Sequence, residues 1–135
     1  MFKFEKLDVW QKAVEYAEFI YKVTQTFPVE ERYGLTSQLR RSAVTVSSNI
    51  AEGSSRSSDT DLARFIEIAY GSLLESVSEV EIARRQGFLN SKTFEAVYKN
   101  AEVLAKMLSG FRRSLGNAVS TIDFLTLNIY TQLST

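Results

Sequence analysis

The chain has 135 residues, no Cys, no His, one Pro and six Gly. That length suits one domain, and 44% hydrophobic residues supply a core that a disordered chain lacks. The missing Cys and His exclude disulfides, thiolate or imidazole metal sites and the usual general base, while 16 basic and 16 acidic residues leave no net charge to attract a polyanion.

The opening stretch, Met1 to Lys6, is charged and has no apolar run of a secretory signal, so the sequence reads as cytoplasmic. Trp10, Ala13, Ala17, Ile20 and Phe27, with Thr24 in the gap, recur at three- and four-residue steps and predict a first helix. Asp8 is its expected N-cap, and Pro28 sets its end because the residue before proline avoids helical geometry.

Glu30 to Gly34 read as a short connection, and a second helix follows from about Thr36 to Gly53. Leu35, Leu39, Ala43, Val46 and Ile50 form its apolar stripe. Its centre, Ala43 to Ser48, has the composition of a strand, so this helix needs packing to hold it. Ser42, Ala43, Ser47, Ala51 and Gly53 are small enough to let a neighbouring backbone come close.

Gly53 to Ser58 has linker composition, and Ser58 with Asp61 three residues on resembles a capping box. A third helix is predicted from Asp59 to Gln86, with Gly87 as its stop. The fourth starts at Asn90 or Ser91 and repeats Phe94, Val97, Ala101, Leu104, Leu108, Phe111 and Leu115 in near-heptad steps. Arg112 and Arg113 fall in its last turn, where the helix dipole favours cations. Gly116 and Asn117 end it. Residues 1–116 therefore read as one all-α domain, an up-down-up-down four-helix bundle, because short links force antiparallel neighbours. Residues 117–135 form a C-terminal tail that fits neither helix nor strand period. No run approaches the ~20 apolar residues of a membrane span.

Charge is spread unevenly along these helices. Ser58 to Gly87 carries six acidic and three basic residues, while Asn90 to Gly116 carries two acidic and five basic. Neighbouring helices can complement each other, or the fourth can present a basic outer face to a polyanion.

Three residue sets carry potential function. Gln38, Arg41, Thr45, Asn49, Glu52 and Arg56 share one face of the second helix, beside its apolar stripe. They read as a solvated face, as an inter-helix or inter-subunit network with Glu75, or as a ligand site. Glu75 and Glu79 stand one turn apart, but the Glu-x-x-His pairs of a di-iron bundle need a His, so no metal site is expected; no motif points to a cofactor, and no small-molecule substrate is identified. Glu75 is expected to partner Arg40, Arg41 or Arg56. Arg40, Arg41, Arg56, Lys99, Lys106, Arg112 and Arg113 are candidate phosphate contacts, and Tyr33, Tyr70 and Tyr98 candidate stacking groups.

Leu7 to Ala13, Tyr33 to Ala43, Ser48 to Gly53 and Gly71 to Glu75 together resemble a bacterial family. It is the four-helix-bundle family encoded in intervening sequences of 23S ribosomal RNA genes, and Gln38-Leu39-Arg40-Arg41 ahead of Asn49-Ile50-Ala51-Glu52-Gly53 is the most specific part. The likeness covers about Phe4 to Leu115. It implies a ring-forming homo-oligomer, most simply a homopentamer. It also implies kinship with the accessory protein of diversity-generating retroelements, a basic barrel that works with nucleic acid. This chain departs from that relative in being neutral. The expectation is a non-enzymatic, oligomeric protein that associates with RNA or DNA; the alternative is a protein-binding adaptor or scaffold without a nucleic-acid role.

Overall fold

The computed structural model describes residues 1–116, and the tail 117–135 lies outside the described residues. Four helices account for the described chain: α1 (Asp8–Thr24), α2 (Leu35–Ser54), α3 (Asp59–Arg85) and α4 (Ser91–Ser114). Single 3-10 turns at Lys3–Lys6 and Val29–Glu31 precede α1 and α2. Each long helix packs on its neighbours in the cyclic order α1, α2, α3, α4 and back to α1. The chain is the four-helix, up-down-up-down bundle that its periodicity predicts.

The start of α1 corrects one expectation. Leu7 is the N-cap and offers no side-chain acceptor, while Asp8 is already the first helical residue. Its carboxylate can still favour the positive end of the helix dipole. The helix stops at Thr24, before Pro28, and the buried Thr24 hydroxyl donates back to the Ile20 carbonyl at 2.8 Å.

The strand-like centre of α2 is helical because both of its inward residues are needed in the core. Leu39, Ala43, Val46 and Ile50 are fully buried. The outer Ser47 and Ser48 hydroxyls donate to the Val44 carbonyl, so their side chains are satisfied without breaking the helix. Burying Leu39 alone is worth about 1.5–3 kcal/mol of transfer free energy, more than the local propensity deficit.

Gly53 fixes how closely α2 meets α3. A Cβ there would lie 2.6 Å from the Phe65 Cβ, so only glycine fits. After the Ser58 cap, whose hydroxyl accepts from the Asp61 amide at 3.2 Å, α3 runs 27 residues. It ends in a left-handed glycine, Gly87 with φ +79°. The Phe88 amide reaches the Ala83 carbonyl at 2.9 Å and the Gly87 amide the Arg84 carbonyl at 3.0 Å, which is the Schellman pattern. Phe88 then tilts against Phe27, with ring centroids 5.7 Å apart. Asn90 caps α4 by accepting from the Thr93 amide at 2.8 Å. Among the described residues no helix is long and apolar enough to cross a membrane.

Candidate nucleic-acid interface

The polar face of α2 is only partly a network. Gln38, Arg41 and Thr45 share a groove of about 360 Å³ with Ser72 and Glu75 of α3. Asn49 turns back instead, and its amide donates to the Thr45 carbonyl of its own helix at 2.9 Å. Glu52 and Arg56 pair with each other at 3.1 Å, and the Arg56 guanidinium lies 4.8 Å over the Phe65 ring. Among the described residues Glu75 forms no ion pair with Arg40, Arg41 or Arg56, and it shares the groove with Arg41 alone.

Its neighbour Glu79 is the carboxylate that goes inside. It is 6% exposed and accepts from the Ser42 hydroxyl of α2 at 2.7 Å. Burial pushes its pKa up, the Ser42 hydrogen bond pulls it down, and the Glu75 charge adds to the rise. The Tyr16 hydroxyl meets Ser76 at 2.7 Å close by, and burial lifts that phenol to about 12. Nothing in the spacing of Glu75 and Glu79 distinguishes the exposed member from the buried one; that follows only from how α2 seats on α3. Among the described residues no group of three or more Asp or Glu comes together as a metal would require.

Arginine turns out to be largely committed within the protomer. Arg40 donates to the Thr24 hydroxyl at 2.8 Å and lies 4.6 Å over the Tyr21 ring. Arg84 and Arg85 both hold Glu81, whose carboxyl is kept at about 2 chiefly by the Arg84 hydrogen bond. Arg112 corrects the expectation of a phosphate contact. It is fully buried, and its guanidinium grips Glu67 of α3. A buried guanidinium cannot reach a phosphate, so Arg112 joins α4 to α3 instead. Tyr70 is likewise buried and withdrawn from stacking, whereas Tyr33 is exposed.

Exposed cations stand on several elements, Arg41 on α2 and Arg64 on α3 among them, but one set follows a single line on α4. Lys99 and Lys106, both expected, are exposed on α4. Lys92 stands seven residues before Lys99, and Arg113 seven after Lys106, both exposed as well. Seven-residue steps put all four on one line, about 10.5 Å apart along the helix. Arg113 also donates to the Ser109 hydroxyl at 3.3 Å. Across the α1–α4 seam stand Lys12, which donates to Asn100 of α4 at 3.3 Å, and Lys22, which lines the same groove as Lys92. Among the described residues Lys22, Lys92, Lys99 and Lys106 have no ion-pair partner. Sequence reasoning passed over Lys92 and Lys22. The heptad spacing signals Lys92, but Lys22 belongs to the line only because α4 closes the bundle against α1.

The family model described as 23S rRNA-intervening sequence protein matches residues 5–110. The chain belongs to that family. Among curated proteins it has no match. The region shared with the 23S rRNA-intervening sequence family contains Lys22, Lys92, Lys99 and Lys106 and stops short of Arg112 and Arg113. The lysine line is thus built mostly within the family domain of this chain, and the Arg112–Glu67 tie straddles its edge.

Proposed function

We propose that this family member is a non-enzymatic, oligomeric binding protein that holds RNA or DNA by its phosphates along the α1–α4 face. The observation that carries the reading is the line Lys92, Lys99, Lys106 and Arg113, with Lys22 across the seam, on a protomer whose net charge is zero. Lysines that are free to neutralise phosphates release the counterions condensed on the nucleic acid, which makes binding salt-dependent. A neutral protomer acting alone binds weakly, so assembly matters: copies arranged in a ring repeat the line, and one strand spanning several copies gains avidity. The proposal takes the ring to be a homopentamer, on the family resemblance, and places the protein in the cytoplasm.

Support for assembly comes from the outward line of α3. Ile68 and Ile82 are 51% and 48% exposed, and a Cβ added to Gly71 between them would meet nothing within 4 Å. A mid-helix glycine costs about 1 kcal/mol relative to alanine, and nothing within the described residues of this protomer requires it. A neighbouring subunit's backbone would.

Light scattering at micromolar concentration tests the assembly, with a monomer refuting it. Anisotropy titration of labelled single- and double-stranded RNA and DNA at low and moderate salt tests the binding. Salt-sensitive binding is expected; absence of binding to all four probes at low salt leaves the adaptor reading in its place.

A further inference from the structure

At the Lys92 end, the lysine line runs into a groove of about 580 Å³ between α1 and the start of α4. Its floor is apolar: Phe19 and Val23 of α1, with Phe88 and Leu89 from the link between α3 and α4. Phe19, Phe88 and Leu89 are half-buried, so each keeps part of its surface in the groove. Its rim is cationic, with Lys22 on one bank and Lys92 on the other. An occupant that suits both parts has a flat apolar body and an attached anion.

We propose that this groove takes one unpaired nucleobase of a nucleic acid, with the adjoining phosphates held by Lys22 and Lys92. The inference rests on the phosphate-binding reading above and adds a base-sized pocket to it. Two features support that occupant. The volume falls within the range of small-molecule sites and suits a nucleotide. The groove also continues into the phosphate line, since Ala96 on its wall is three residues before Lys99. A phosphate chain laid along α4 therefore delivers its end to the groove. A base inside a duplex is stacked and cannot enter, so the groove selects single-stranded ends and loops. Its apolar floor has no reason to prefer one base strongly over another, because every base offers a π-face.

The test compares a blunt RNA duplex with the same duplex bearing a three-nucleotide overhang, using the intact full-length oligomer. The overhang is expected to bind about tenfold more tightly, the scale of one stacked base. A 2-aminopurine placed in the overhang is expected to change its fluorescence on binding. Ala96→Phe places a ring on the groove wall, narrows it, and is expected to weaken both effects while leaving blunt-duplex affinity in place. Should Ala96→Phe lower the melting temperature, the wild-type comparison and the 2-aminopurine signal decide without it. Equal affinity for both duplexes with a silent 2-aminopurine overturns the groove and leaves the phosphate-binding reading standing. Binding of neither duplex overturns the groove, and it overturns the phosphate-binding reading as well when single-stranded RNA and both forms of DNA also fail to bind at low salt.

Discussion

Arg112 and Glu79 are two buried charged side chains with opposite relations to their surroundings. Arg112 has an anion beside it, Glu67, although its Nη1 has no acceptor among the described residues. Removing the partner of a buried charge costs about 3–5 kcal/mol, so Glu67→Ala is expected to destabilise the bundle on that scale, at the lower end because Glu67 is partly exposed. Urea unfolding measures it; a change below 1 kcal/mol contradicts the tie. Among the described residues Glu79 has only the Ser42 hydroxyl, and its pKa is raised from the ordinary 4.5. The folded state thus holds this proton more tightly than the unfolded chain does. The contribution is present below the unfolded value and is lost as pH rises through the raised folded value. Glu79→Gln keeps an acceptor for Ser42, and is expected to raise stability at neutral pH and to flatten this decline. Denaturation at pH 4 and pH 8 would contradict it by showing the same pH dependence in both proteins. Neither role was legible in the sequence. Arg112 read as a dipole-favoured, solvent-facing cation because its burial depends on the register between α3 and α4.

At the scale of elements, the sequence carried more. The stripes of α1, α2 and α4, the Ser58 and Asn90 caps and the Gly87 stop all follow from spacing and local chemistry, and each has its counterpart in the fold. The exception at Asp8 is a one-residue shift of a helix start, where competing caps differ little in energy. Two glycines show what local rules leave open. Gly53 is pressed against Phe65, and Gly71 faces open space. Alanine favours both helices by propensity. Gly53→Ala is nevertheless expected to cost about 1–3 kcal/mol, since the overlap with Phe65 outweighs propensity. Gly71→Ala is expected to stabilise the single protomer by up to about 1 kcal/mol while weakening the assembly. Thermal melts paired with light scattering check both; a Gly71→Ala protein that assembles as wild type does removes the reason given for that glycine.

For the whole molecule, the proposed phosphate-binding face exists only once the bundle closes. Zero net charge hides it, and composition alone argued against a polyanion partner. The fold separates part of what the count adds together: Arg56, Arg112, Arg84 and Arg85 turn onto Glu52, Glu67 and Glu81, while Lys92, Lys99 and Lys106 lie exposed along α4 and Lys22 on the facing side of α1. The uneven charge of the third and fourth helices was the trace of this in the sequence. The most direct test of the central claim is the salt dependence of duplex DNA binding, measured for the wild type and for Lys92→Gln, Lys99→Gln, Lys106→Gln combined. Each phosphate-bound lysine contributes about 0.9 to the slope of log affinity against log salt. The triple variant is expected to keep its fold and oligomer size, to lose affinity evenly across sequences, and to show a slope shallower by about 3 for each protomer in contact. A folded, assembled triple variant whose slope and affinity match the wild type would contradict the account.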